Sequence, residues 1–153
     1  AYCVIDCNTL RPLEFGKVDN EELRNKLVFA NEQDWQWAAI EMVASYGMAV
    51  GREVFDTVLW IGRFYEALSI QMAQKPRLLC RIEEICHDSR ANDPAIRRAL
   101  IDRFATHDLK NGKGTSKNPD FFYGFKADIW AAYAVGLTAI ENHNNDYKIS
   151  SDC

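Results

Sequence analysis

The stretch from residue 52 to residue 73 constrains the fold most, because it is apolar on most of the circumference of a helix. Its two adjacent apolar faces consist of Phe55, Val58, Leu59, Gly62 and Tyr65, and of Val54, Ile61, Phe64 and Leu68, with Trp60 further round. A helix of this kind is usually buried among other elements. The sequence therefore predicts that 52–73 is the central helix of the fold.

Capping residues and apolar spacing predict further helices around it. Asp19 or Asn20 starts a helix through Ala30, with Glu21 and Glu22 in its first turn. Asn92-Asp93-Pro94 combines a capping side chain with a proline in the first turn, and this helix ends before Gly112. The remaining predicted helices span 31–51, 77–88 and 124–142.

The two ends of the chain lack helical periodicity. Residues 1–7 have a strand-like composition but no second strand-like run to pair with, so we expect an extended arm over 1–18. The polar residues 143–153 predict a flexible tail. The expected fold is one all-α domain over 1–153, an irregular bundle of five or six helices with a short extended N-terminal arm.

Charge is unevenly distributed along the chain. The 153 residues carry a net charge of −4 with a pI near 5.4, which disfavours a surface built entirely for nucleic acid. Residues 75–126 nevertheless hold 11 of the 18 Lys and Arg residues and only 7 of the 22 acidic residues. The protein is therefore expected to present one basic and one acidic region.

The five cysteines, an odd number, favour free thiols and a cytoplasmic location. A removed signal peptide remains an alternative, and Cys80 with Cys86, or Cys3 with Cys7, would then be able to pair. The longest apolar stretches, 54–72 and 121–140, contain charged residues and predict core helices of a soluble protein, not membrane spans.

Common catalytic motifs are absent from the sequence. Gly112-Lys113-Gly114-Thr115 resembles the end of a phosphate-binding loop, but His107 stands where the first glycine is required and a predicted helix precedes it. No Gly-x-Ser-x-Gly, His-Glu-x-x-His or dinucleotide-binding fingerprint occurs. The protein is therefore expected not to be an enzyme, and no cofactor is predicted.

Histidines supply the weak catalytic candidates. His87, His107 and Asp108 are chosen because a histidine near a carboxylate can act as a general base. A histidine near a helix C-terminus also interacts favourably with the helix dipole and needs no other role. Cys80, Cys86 and His87 lack a known zinc-ligand spacing, so no metal site is predicted.

The basic segment is the main candidate for binding, because exposed loops rich in Gly, Asn and Lys often carry function. Its basic residues lie on the predicted helix and on the 110–120 loop, and three aromatic residues follow that loop. The candidate interaction residues are Arg97, Arg98, Arg103, Lys110, Lys113, Lys117, Phe121, Phe122 and Tyr123.

Three functions remain open from the sequence. The first is a non-enzymatic interaction domain, an inhibitor, immunity protein, adaptor or self-assembling subunit, whose partner is another protein or a second copy. The second is a nucleic-acid-binding or coat-type protein that uses the same basic segment. The third is a small hydrolase or toxin that depends on His87 or His107.

Overall fold

The chain combines helices with two small sheets. The computed structural model describes residues 1–29, 35–43, 51–72, 74–79 and 93–151, with side chains in the last range as far as residue 144. Within these ranges the elements, in chain order, are β1 (Tyr2–Ile5), β2 (Pro12–Gly16), α1 (Asn20–Val28), β3 (Ala39–Glu41), α2 (Arg52–Gln71), β4 (Arg77–Leu79), α3 (Asp93–Phe104) and α4 (Ile129–Ser151). The prediction of an all-α bundle of five or six helices is therefore wrong.

The N-terminal segment forms a β-hairpin instead of a lone arm. β1 pairs with β2 in antiparallel register, from Tyr2 opposite Gly16 to Ile5 opposite Pro12. Asp6 closes the turn, because its Oδ1 accepts hydrogen bonds from the backbone N–H groups of Asn8 (3.1 Å) and Thr9 (2.6 Å). β2 was not predicted from the sequence because its ends are a proline and a glycine, which are uncommon inside strands.

A second correction concerns the segments that were predicted as helices over 31–51 and 77–88. β3 and β4 form a short parallel pair, in which Ala39 is opposite Arg77 and Glu41 is opposite Leu79. Three-residue apolar strands have no periodicity that distinguishes them from a turn of buried helix, and only pairing with a distant segment stabilises them. The predicted helical residues 31–34, 44–50 and 80–88 lie outside the described ranges.

Local sequence signals correctly predicted where α1 begins and that α3 ends before Gly112. α1 begins after Asp19, whose side chain accepts a hydrogen bond from the N–H of Glu22 (2.9 Å), so the predicted N-cap is confirmed. α3 ends at Phe104, before Gly112 as expected. Asn92, the other predicted capping residue, is outside the described ranges.

The core centres on α4 and not on α2. Phe122, Phe125 and Tyr133 are completely buried, and they pack with residues of α3 and of the first turns of α4. The other buried members of this cluster are Leu100, Ile101, Ile129, Trp130, Ala134 and Leu137. α2 buries only Ile61, Ala67 and Leu68 among its twenty residues, so the prediction that it is the central helix is wrong.

α4 packs against both sheets and against α3. Ile5 of β1 packs against Gly136, where an added Cβ would lie 2.6 Å from the Ile5 side chain. Val135 and Ala139 form a smaller cluster with Leu79 of β4. α4 starts at Ile129, later than the predicted residue 124, because Gly124 (φ +88°) and Ala127 (φ +37°) have left-handed backbone conformations. Among the described residues, no helix has the length and apolarity to cross a membrane.

Candidate functional site

The carboxylate of Asp120 organises the loop between α3 and α4. Its side chain is fully buried and accepts hydrogen bonds from four backbone N–H groups, three of them consecutive. The donors are the N–H groups of Thr106 (2.9 Å), His107 (3.0 Å), Asp108 (2.7 Å) and Phe121 (2.8 Å), together with the Thr106 hydroxyl (2.7 Å). Burial alone would raise the pKa of Asp120, but these hydrogen bonds hold the pKa far below its ordinary value.

Asp108 folds the glycine-rich part of the same loop. Its Oδ1 accepts from the N–H of Asn111 (3.0 Å), and its Oδ2 accepts from those of Gly114 (3.0 Å) and Lys113 (3.2 Å). These hydrogen bonds lower the pKa of Asp108, and the one from Asn111 has the largest effect. The backbone N–H groups that a phosphate-binding loop would offer to a ligand are therefore used by a side chain of the chain itself.

His107 is held within this loop. Its Nδ1 lies 3.1 Å from the Thr106 hydroxyl and 3.6 Å from Asp120 Oδ2, and its Nε2 lies 3.2 Å from the carbonyl oxygen of Asn118. A carbonyl only accepts hydrogen bonds, so Nε2 carries the proton in this arrangement. The hydrogen bond from Nε2 to the Asn118 carbonyl cross-links the loop, and Nδ1 lies beside the Thr106 hydroxyl, whose own proton goes to Asp120. His87 lies outside the described ranges.

Two of the candidate arginines form ion pairs within the fold. Arg98 pairs with Asp102 one turn later and donates to the carbonyl of Leu109 (3.0 Å). Arg103 pairs with Glu141 of α4 (2.5 Å). Both guanidinium groups therefore attach α3 to its neighbours, and their charge is offset locally.

The three candidate aromatic residues have different environments. Phe122 is completely buried and packs against Trp130 in a tilted arrangement, with ring centroids 4.6 Å apart. Phe121 is partly buried and packs on Phe104 at 4.8 Å. Tyr123 is exposed, so it is the one of the three whose ring is open to a partner.

The remaining candidate cations divide into two groups. Lys110 and Lys117 are exposed on the loop. Arg97 lies over the ring of Trp130, with its guanidinium carbon 4.8 Å from the centroid, and Lys113 is half-buried nearby. Burial, then the charges of Arg97 and Lys126, lower the pKa of Lys113. Lys126 was missed in the sequence because it is 13 residues from Lys113 and belongs to no basic run.

A surface of α2 is the other notable feature. Phe55 is 64 % exposed and Leu59 is 60 % exposed, and Gly62 has open space where a side chain would stand. Arg52 and Glu66, also exposed, continue the same row at alternating spacings of three and four residues. We call these five residues, Arg52, Phe55, Leu59, Gly62 and Glu66, the α2 outer face; it lies opposite the buried Ile61 and Leu68.

In the described part of the chain, neither the thiols nor the potential metal ligands form a candidate site. Cys3 and Cys7 are both free, and burial raises the pKa of Cys3 to about 12, which disfavours its thiolate form. Cys80 and Cys86 are outside the described ranges. Among the residues that are described, no three His, Cys, Asp or Glu side chains are placed to hold a metal ion.

Similarity to known proteins does not extend these observations. Neither protein-family models, nor curated protein sequences, nor solved structures give a match to this chain.

Proposed function

We propose that the protein is a non-enzymatic interaction domain that associates with a second copy of itself through the α2 outer face. The observation that carries the proposal is the exposure of Phe55 and Leu59 on a twenty-residue helix. Large apolar side chains that recur on one exposed helix face are typical of helix–helix contacts between subunits.

The spacing of the α2 outer face suits a paired helix. Intervals of three, four, three and four residues from Arg52 to Glu66 match the apolar positions of a coiled coil. The open space at Gly62 would admit a large side chain of the second copy, and Leu59 lies less than one turn away. An antiparallel pair in which each Leu59 faces the other Gly62 therefore fills both positions.

Charge favours the antiparallel arrangement of two copies. Arg52 is 94 % exposed near the start of the α2 outer face, and Glu66 lies near its end. Antiparallel pairing brings Arg52 of each copy within one turn of Glu66 of the other, whereas parallel pairing places like charges together. A twofold contact of this kind is self-complementary, as a closed dimer requires.

The two other functions considered, nucleic-acid binding and hydrolysis, have less support. Nucleic-acid binding by the basic segment is weakened because Arg98 and Arg103 are paired with carboxylates of the same chain. A hydrolase based on His107 is weakened because Nε2 is bound to the Asn118 carbonyl and Nδ1 faces Thr106 within the same loop.

Sedimentation or light scattering across a range of protein concentrations tests the proposed dimer. Leu59→Glu should weaken association by about a hundredfold or more, because the contact would bury an unpaired carboxylate. Leu13→Glu is the matched control, since Leu13 is similarly exposed but lies on β2, outside the α2 outer face. Equal association of the two variants, or a wild-type protein that stays monomeric at high concentration, contradicts the proposal.

A charge exchange tests the orientation. Arg52→Glu should weaken the dimer, because it places carboxylates opposite each other, and adding Glu66→Arg should restore most of the affinity. If the double variant is no better than Arg52→Glu alone, the antiparallel arrangement is wrong.

A further inference from the structure

Three cationic residues from separate parts of the chain, Arg97, Lys113 and Lys126, are near enough for the charges of Arg97 and Lys126 to act on Lys113, and Arg97 lies beside Trp130. Arg97, on α3, lies over the indole ring at 4.8 Å. Lys126 stands just before α4, where its carbonyl accepts a hydrogen bond from the N–H of Ile129 (3.0 Å). Lys113 comes from the loop between them. We call Arg97, Lys113 and Lys126 the basic cluster.

The packing of Gly112 explains why Lys113 reaches this place. A Cβ at Gly112 would lie 3.0 Å from the side chains of both Ile101 and Phe122, so the backbone is wedged between them. Ile101 is one helical turn after Arg97, and the Phe122 ring lies 4.6 Å from that of Trp130. The chain is thus fixed against the same part of the core that carries Arg97.

The basic cluster differs from those cations of the described part of the chain that pair with carboxylates. Lys17, Lys26, Arg98 and Arg103 each have a carboxylate as ion-pair partner. No carboxylate of the described residues lies within ion-pair distance of Arg97, Lys113 or Lys126. The exposed Lys110 and Lys117 also have no carboxylate of the described residues as partner, but Lys113 is half-buried. Burial, and then the like charges of Arg97 and Lys126, lower the pKa of Lys113, and a bound anion would relieve the repulsion among these charges.

Trp130 supplies a second, independent observation. Its side chain is only 6 % exposed overall, and its Nε1–H is buried without a hydrogen-bond partner. Buried donors are nearly always paired, because an unpaired donor lowers stability. The core beneath Arg97 therefore retains a donor that the chain itself does not satisfy.

We propose that the basic cluster binds the phosphate group of a small phosphorylated ligand. Three cations match a compact dianion, and the guanidinium of Arg97 can donate two parallel hydrogen bonds to phosphate oxygens. The N-terminal end of the 23-residue helix α4, just after Lys126, adds favourable partial positive charge.

A small ligand fits better than a polynucleotide. The basic cluster is bordered by ion pairs in which positive charge is already offset, namely Lys17 with Asp128 and Arg98 with Asp102. A continuous basic track of the kind that follows a nucleic-acid backbone is therefore not formed by these residues. The site is independent of the α2 outer face.

Titration calorimetry with orthophosphate and with pyrophosphate, in dilute chloride buffer, tests the proposal. We expect saturable binding, which Lys113→Gln and Lys126→Gln each weaken by about tenfold, the loss of one charge-assisted contact. Lys117→Gln, an exposed lysine of the same loop, should bind as the wild type does. Absence of saturable binding, or an equal loss in Lys117→Gln, overturns the proposal.

Two further measurements make the result specific. The indole N–H resonance of Trp130, assigned with a Trp130→Phe variant, should shift on phosphate addition while those of the other tryptophans stay in place. If a single-stranded oligonucleotide binds with steep salt dependence and neither phosphate probe binds, a nucleic-acid site replaces the proposed one. Leu59→Glu should still bind phosphate, so failure of the dimer and failure of this site are distinguishable.

Discussion

Asp120 contributes more hydrogen bonds to the loop between α3 and α4 than any other described side chain. Asp120→Asn would replace one accepting oxygen by a donor that faces backbone N–H groups. We expect a loss of about 3 kcal/mol or more in the free energy of unfolding, measured by urea denaturation at pH 7. Asp102→Asn, which breaks an exposed pair with Arg98, is the control and should cost less than about 1 kcal/mol. Equal losses would contradict the role given to Asp120.

The same carboxylate predicts a specific pH dependence. The pKa of Asp120 is lower in the folded protein than its ordinary value of 3.8, so its contribution is present above that value. The contribution is lost as the pH falls through 3.8 towards the folded-state pKa. The stability difference between the wild type and Asp120→Asn should therefore shrink below about pH 4. A difference that stays constant down to pH 2 would contradict this assignment.

At the scale of single residues, the sequence identified side chains but not their partners. It selected Arg97 and Lys113, yet it also selected Arg98 and Arg103, whose charges Asp102 and Glu141 offset. Glu141 is 38 residues from Arg103 along the chain, so no local pattern links the two.

Elements with local sequence signals were predicted correctly, whereas elements that depend on distant residues were not. The N-cap of α1 lies within four residues, and the sequence showed it. In α2 the periodicity revealed two apolar faces, but periodicity does not say which face the rest of the chain covers. The structure buries the face of Ile61 and Leu68 and leaves Phe55 and Leu59 exposed. β3 and β4 depend on each other across about 40 residues, which explains why neither was recognised.

Gly62 connects the stability of α2 with its proposed contact. Glycine inside a helix costs about 0.5–1 kcal/mol relative to alanine, and the added methyl group would meet no atom within 4 Å. Gly62→Ala should therefore raise the free energy of unfolding of the monomer by about that amount, measured by denaturation of dilute protein. The same methyl group narrows the space proposed for Leu59 of the second copy, so dimer affinity should fall. A variant that gains stability and keeps full affinity would exclude Gly62 from the contact.

Across the whole molecule, burial is concentrated around α4. The two buried clusters both include α4 residues, whereas α1 buries none of its side chains. Regions with few buried contacts open locally, without unfolding of the whole domain. Amide hydrogen exchange should therefore be slowest in the middle of α4, around Tyr133 to Ile140, and clearly faster in α1. Uniform protection of the two helices would mean that they unfold together.

Protein concentration should separate the properties of the monomer from those of the proposed dimer. α2 packs on α1 and β3, and Phe55 and Leu59 of its outer face are exposed in the described structure of the single chain. Association would cover the segment from Arg52 to Glu66, so its amides should become more protected as concentration rises, because binding stabilises the closed state. α3, which does not take part in the proposed contact, should show no such dependence, and Leu59→Glu should abolish the effect in α2. A concentration effect equal in α2 and α3 would indicate association through a different surface.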